Sequence, residues 1–224
     1  MKDTTKKVLD ILSKTFGGDS VLVMSDVSSV VADAIPIGIA ALDKWVLGIG
    51  GLPRGQFIEV YGKEKSGKTT LILHMIAAVQ KAGVVPVVID NKAAIASDNL
   101  RASVIGVVTS DVLLLPIRTS EDALIQARDV IERSTKMGVQ LAFFWDDMGL
   151  SATKGNTVPD KSRKKAKSSP KIAEKANVMW DFVRALSGLC YEHNVPMVIV
   201  NHLTSVISTS GFSFGPRYTT IGGG

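Results

Sequence analysis

From residue 56 onward the apolar positions of this chain alternate between two rhythms. Near-continuous apolar runs predict five strands: "QFIEVYG" (56–62), "VVPVVID" (84–90), "DVLLLPI" (111–117), "VQLAFFWDD" (139–147) and "VPMVIVNH" (195–202). Helical periodicity separates them, in "GKTTLILHMIAAVQKAG" (67–83), "SEDALIQARDVIERSTKMG" (120–138) and "PKIAEKANVMWDFVRALSGLCYEHN" (170–194). Ser120 reads as a helix N-cap, and Gly83 and Gly138 as helix stops. Residues 91–110 are less regular. Strands that are apolar on both sides need cover on both faces, and intervening helices provide the crossovers that parallel pairing requires. The expected fold is therefore α/β, a mostly parallel sheet with helices on both faces. No internal repeat is visible.

Ahead of this core, Leu9, Leu12 and Phe16 share one face of a short helical pattern that Gly17 and Gly18 end. Residues 1–34 are read as a helix and linker, an arm placed to pack on something else, and residues 35–224 as the core. On the last helix Met179, Trp180, Val183, Leu186 and Leu189 follow helical spacing and are expected in the core, with Cys190 buried beside them.

Composition narrows the class. An apolar fraction of 46% is ample for a core in 224 residues. One cysteine excludes an intrachain disulfide framework and fits a reducing compartment. No apolar run approaches the roughly 20 residues of a membrane helix, and the charged start "MKDTTKK" is not a signal-peptide core. The expectation is a soluble cytoplasmic protein with no membrane partner. The formal charge of +5 is not spread evenly: Lys154 to Lys175 contains eight Lys/Arg and two acids, which leaves the remainder near −1.

Two motifs carry chemistry. "GKEKSGKT" fits G-x-x-x-x-G-K-[ST] between a predicted strand and a predicted helix. In such a loop glycines let the backbone N–H groups turn inward onto phosphate oxygens, and the helix N-terminus adds partial positive charge. Gly62, Lys63, Glu64, Lys65, Ser66, Gly67, Lys68, Thr69 and Thr70 are the candidate nucleotide-binding residues. Lys68 is expected to reach the β- and γ-phosphates of ATP, and Thr69 to hold Mg²⁺. Asp146, the first acid after the apolar run "LAFFW", is the expected second metal residue, acting through water.

With these in place, the chain resembles the ATPase core of the RecA family of recombinases. "IPIGIAALDKWVLGIGGLPRGQFIEVYGKEKSGKTT" (35–70) resembles the family's lead-in, with its "GGLP-G" turn before the first core strand. "FFWDDMGLSA" resembles its magnesium strand, "VIVNH" the strand ending in the nucleotide sensor, and "YTTIGGG" the end of its second DNA-binding loop. The "NH" pair and the lysine-rich first loop are most similar to bacteriophage members of the UvsX type.

The resemblance implies helical filaments on single-stranded DNA, double-stranded DNA engaged during pairing, ATP bound between subunits, and residence in the bacterial host cytoplasm or on its nucleoid. It gives the N-terminal helix the role of a subunit-docking arm and His202 that of γ-phosphate sensor. Family members continue through further strands, so the chain is expected to be truncated after "TTIGGG". A ring-forming RecA-like motor or helicase is a rival, against which stands the "GGLP" lead-in.

Residues 151–170 match the first DNA loop and 203–220 the second. Lys161, Arg163, Lys164, Lys165 and Lys167 have no aromatic neighbour, so they offer phosphate neutralisation without base stacking. Read alone, the same run is a solvated charge cluster. Phe212, Phe214 and Arg217 lie in a glycine-containing polar stretch where aromatics can stack on unpaired bases or pack back on the domain.

Lys92 breaks the pattern. It lies two residues past strand-end Asp90, where the family has the glutamate that activates water. A protonated lysine has no lone pair with which to take a proton. Hydrolysis is expected to be strongly reduced while ATP binding survives, which leaves a non-hydrolysing, nucleotide-gated DNA-binding protein as the second reading. Asp147, directly after Asp146, and Glu64 are the carboxylates that could substitute.

Overall fold

The computed structural model describes residues 3–17, 21, 23, 34–91, 93–117, 119–148, 170–206 and 217–220, with 170–180, 204–206 and 217–220 described by backbone alone. The elements follow in chain order. Helix α1 spans Asp3–Phe16, and strands β1 (Ala34–Ile35) and β2 (Leu52–Pro53) form a small antiparallel ladder. Then come β3 (Phe57–Gly62), α2 (Lys68–Lys81), β4 (Val85–Asp90), α3 (Asn99–Ile105), β5 (Leu113–Leu115) and α4 (Ser120–Lys136). The series closes with β6 (Leu141–Asp146), α5 (Pro170–His193), β7 (Met197–Val206) and β8 (Arg217–Thr220).

The main sheet runs β3-β7-β6-β4-β5 with every one of these pairs parallel, and β8 adds antiparallel to the far end of β7. Because successive side chains of a strand point to opposite faces, each buried strand feeds two cores. Val88, Phe144, Val198 and Val200 meet α2 on one side. Val87, Phe143, Trp145 and Ile199 meet α4 and α5 on the other. The expected α/β architecture is observed. Trp145 anchors the second core edge-on to Phe182, with ring centroids 4.7 Å apart. Leu186 and Cys190 are fully buried there, Val183 and Leu189 pack partly against it, and the Met179 and Trp180 side chains lie outside the described set.

The helix ends obey local chemistry. Gly83 and Gly138 adopt φ of +72° and +70° just past α2 and α4, a conformation that costs glycine little. The N-cap of α4 is Thr119, whose hydroxyl accepts from the Asp122 N–H; Ser120, expected in that role, is the buried first residue of the helix. Helix α1 ends at Gly17 and carries no buried residue; Val8, Ile11 and Phe16 are all exposed.

Two strand expectations change. The apolar run 111–117 yields only the three-residue edge strand β5, with Leu113 and Leu114 about half exposed. A 3₁₀ turn occupies Thr109–Asp111, and Pro116 has no N–H to continue a ladder. Conversely, β7 does not stop at His202. It continues to Val206, where Leu203 pairs with Thr220 and Val206 with Arg217. The segment read as an irregular loop from residue 203 is thus strand at both ends.

Burial pushes the Cys190 thiol up from its ordinary 9.0 to about 12. At pH 8 almost no thiolate exists in the folded chain. Iodoacetamide labelling followed by mass spectrometry should be at least about a thousandfold slower than in denaturant; equal rates would show an accessible thiol. Since the folded state holds this proton more tightly, its stabilisation is complete below pH 9 and is lost as pH rises toward 12.

Candidate functional site

The carboxyl ends of β3, β7, β6 and β4 gather the candidate chemistry, where parallel α/β sheets hold their ligands. Register decides who meets whom. Gly62 at the end of β3 stands opposite His202 on β7, and Asp90 at the end of β4 opposite Asp146 on β6.

The loop from Gly62 to Gly67 has the backbone shape its sequence requires. A Cβ on Gly62 would come within 2.8 Å of the Ser66 hydroxyl, and Gly67 takes φ +90° as it turns into α2. Gly67, at the N-cap of that helix, has no side chain to offer its first N–H groups. Lys68 folds back over the loop, its Nζ donating to the carbonyls of Gly62 (3.1 Å) and Lys63 (2.8 Å).

A cavity of about 470 Å³ opens beside the loop. Glu64, Lys65, Gly67, Lys68, Thr69 and Thr70 form one wall. Asp146, His202, Ala94 and Arg101 form the rest. Gly62, Lys63 and Ser66 complete the loop and are not among the residues that line the cavity.

The Thr69 hydroxyl donates to Asp146 Oδ2 at 2.7 Å, although the two are 77 residues apart in sequence. Asp146 is nearly fully buried. Two hard oxygen donors therefore converge at one wall of the cavity, a set suited to Mg²⁺ that retains water and phosphate ligands. Among the described residues no three His, Cys, Asp or Glu side chains cluster as an all-protein metal cage.

Asp147 is fully buried and is not part of the cavity wall. Its Oδ2 pairs with Nε2 of His202, which does reach the cavity. The peptide between Asp146 and Asp147 is cis. Asn91 ties β4 to this point, its N–H donating to the Asp146 carbonyl (3.0 Å) and its Nδ2 to the Asp147 carbonyl (3.3 Å). Asn201 links the other side, accepting from the His202 N–H and donating to Glu59 Oε1, each at 2.8 Å.

Lys92 lies outside the described residues, between Asn91 and Ala93. So do Lys161, Arg163, Lys164, Lys165, Lys167, Phe212 and Phe214, while Arg217 is described by its backbone, at the start of β8.

Three polar residues of the wall and its support escaped the sequence reading. Asp90 accepts from the N–H groups of Ala94 (3.0 Å), Ile95 (2.9 Å) and Ala96 (2.8 Å), folding the chain after β4 into a compact turn. Asp98 caps α3 and pairs with Arg101 at 2.6 Å. Arg101 in turn reaches the Thr70 hydroxyl at 3.4 Å, and both residues line the cavity. The detectable signal was Asp98 three residues before Arg101, an N-cap pattern inside a stretch read as irregular.

Comparison with known proteins agrees with this geometry. The RecA N-terminal domain family matches residues 3–224. Protein RecA of Campylobacter jejuni subsp. doylei is 33% identical over 227 residues, spanning all of this chain and 62% of the relative. Protein RecA of Acholeplasma laidlawii is 35% identical over 212 residues, 95% of this chain and 59% of the relative. Protein RecA of Fusobacterium nucleatum subsp. nucleatum is 32% identical over 218 residues, 97% of this chain and 53% of the relative. The chain thus spans between about half and two thirds of the curated relatives it matches.

Replacing Asp90 with Ala removes the acceptor for three backbone donors. Hydrogen exchange by mass spectrometry should show the amides of Ala94, Ile95 and Ala96 exchanging roughly ten- to a hundredfold faster, the scale of 1–3 kcal/mol for an unsatisfied group. Unchanged protection there would mean that the turn is held by its apolar contacts.

Proposed function

This chain belongs to the RecA N-terminal domain family, and from that premise we propose that it is the ATP-binding core of a DNA recombinase. In this reading it assembles as helical filaments on single-stranded DNA and pairs that strand with homologous duplex. The observation that carries the reading is the closure of the phosphate loop by Thr69 and Asp146 at 2.7 Å, with His202 in register beside Gly62. The loop N–H groups and Lys68 hold the triphosphate, and Thr69 and Asp146 hold Mg²⁺, which neutralises phosphate charge when bound. His202 senses the γ-phosphate from β7, the strand that leads directly into the second DNA-binding segment.

Within this proposal Lys161, Lys164, Lys165, Lys167 and Arg163 bind the DNA backbone, and Phe212 and Phe214, between β7 and β8, contact bases and phosphates together with Arg217 at the start of β8. Helix α1, with no buried residue, is the arm that docks on the next subunit, with ATP at the subunit boundary. The "NH" pair and the lysine-rich segment support a bacteriophage UvsX-type member acting in the cytoplasm of a bacterial host. No helix among the described residues is long and apolar enough to cross a membrane.

Lys92 favours a specific second reading, a nucleotide-gated DNA-binding protein with little or no turnover. Both are tested by phosphate release with Mg-ATP, with and without single-stranded DNA, for the unchanged chain and for Lys92→Glu. The proposal expects a slow rate that Lys92→Glu raises about a hundredfold, the usual scale for a general base. A fast, DNA-stimulated rate in the unchanged chain would refute the assignment of position 92.

The DNA segment has its own readout. Replacing Lys164, Lys165 and Lys167 with Ala should weaken single-stranded DNA binding alike for all sequences. It should also reduce the slope of log affinity against log salt by about 2, close to 0.7 per lost phosphate contact. An unchanged slope would place those lysines away from DNA.

A further inference from the structure

We propose that Arg101 binds the α-phosphate of the nucleotide, as a cation that α3 contributes to the phosphate loop. The inference rests on the ATP-binding reading above and adds to it a ligand residue from a separate element.

Two neighbouring threonines set the geometry. The first ladder bond of α2 runs from the Leu71 N–H to the Gly67 carbonyl at 2.9 Å, so Thr69 and Thr70 lie in the opening turn of the helix. Successive helix residues point about 100° apart, and the two hydroxyls meet different elements. That of Thr69 donates to Asp146 at the end of β6. That of Thr70 accepts from Nη1 of Arg101 on α3, at 3.4 Å. All four residues line one cavity.

In a loop of this kind the lysine reaches the β- and γ-phosphates, the next hydroxyl holds Mg²⁺, and backbone N–H groups take the α- and β-phosphates. The Lys68 Nζ sits against the carbonyls of Gly62 and Lys63, which puts the terminal phosphates toward the start of the loop. Thr70, one residue past Thr69 and inside the helix, then stands toward the α-phosphate, and Arg101 with it. Lys68 and a metal at Thr69 and Asp146 offset the charge of the terminal phosphates. Lys65 also lines the cavity, but from the turn that precedes Gly67. On the Thr70 side the cation of the wall is Arg101.

The side chain is suited to this contact. A guanidinium carries five N–H donors in a planar fork that matches phosphate oxygens. Nη1 is engaged by Thr70, and Nη2 pairs with Asp98 at 2.6 Å. The same Asp98 carboxylate accepts from the Arg101 N–H at 3.3 Å as the cap of α3, so the anchor of the guanidinium is itself tied to the main chain. A group held in place before binding loses less freedom when the ligand arrives. The Arg101 side chain is still 43% exposed, which leaves N–H groups open to a phosphate oxygen. ATP and ADP share an α-phosphate, so the contact strengthens both alike. It adds to nucleotide affinity and not to the rate of the chemical step.

The test is displacement of a fluorescent ATP analogue from the full chain by the Mg²⁺ complexes of ATP, ADP and inorganic triphosphate. Arg101→Ala is expected to weaken all three about tenfold to a hundredfold, the scale of hydrogen bonds to a charged group. Arg101→Met, which keeps an unbranched stem and removes only the donors, should show the same loss. Arg128→Ala removes a charge of the same sign from the exposed face of α4 and should change none of the three affinities. The proposal is overturned if either Arg101 variant binds all three ligands like the unchanged chain. A loss that spares inorganic triphosphate also overturns it, by putting Arg101 against the base or ribose, and a loss that spares ADP does so by putting it at the γ-phosphate. Equal weakening by Arg128→Ala, or an unchanged chain that binds ATP but no inorganic triphosphate, is equally fatal to it. Absence of ATP binding in the unchanged chain would instead refute the ATP-binding reading and this proposal with it, so the two failures are told apart by the first titration.

Discussion

Two adjacent carboxylates, one at the end of a fully buried strand and one just past it, are what the site is arranged around, because of the cost of placing them there. Asp146 and Asp147 are almost completely removed from solvent. A buried carboxylate without partners is strongly disfavoured, so each must be met by a donor. The Thr69 hydroxyl meets the first and His202 meets the second, while Asn91 binds the carbonyls of both. Those donors come from the start of α2, from β7 and from the end of β4, so three separate crossovers must deliver them to one point. The strand order β3-β7-β6-β4 is the arrangement that does so. A one-residue slip of β7 would turn His202 to the opposite face of the sheet and leave Asp147 unpaired.

The consequence for the cavity is a division of labour between groups of the same type. Asp146 and Asp147 differ by one position, yet one faces the cavity and the metal-suited hydroxyl while the other faces inward to an imidazole. Environment sets two roles for two carboxylates, as it does wherever neighbouring acids are held in different surroundings. The imidazole then carries the influence of the buried charge out to the cavity wall. That connection is a property of the folded register and of no local motif.

Much of this was legible in the sequence, for identifiable reasons. Strands buried on both faces announce themselves as apolar runs, and the phosphate loop is short, contiguous and framed by a strand and a helix. The same rule overread 111–117, because an apolar run gives no sign of whether its strand is central or at the edge, and β5 is an edge with half-exposed Leu113 and Leu114. It underread 203–206 and 217–220, where threonine, serine and glycine suggested a loop but the two segments pair with each other. What Asp90 and Arg101 do was missed for a different reason. Their roles depend on backbone donors and side chains supplied by other elements or by a turn with Ala93 at φ +53°, and no spacing rule reports those. Likewise Thr119 and Ser120 are both good caps by type, and only the exact start of the helix decides between them.

Binding a triphosphate and splitting it make opposite demands. Binding calls for donors and positive charge, which the loop N–H groups, Lys65, Lys68 and Arg101 supply around the cavity. Splitting calls for at least one acceptor able to take a proton from water. Asp90 is committed to three N–H groups of its own turn, and Asp146 to the Thr69 hydroxyl where a metal is suited to bind. Asp147 is fully buried and pairs with His202. A lysine at position 92 adds to the first demand and not to the second. The groups around the cavity thus answer the needs of binding more fully than those of splitting, and the residue at position 92 decides how far that balance tips.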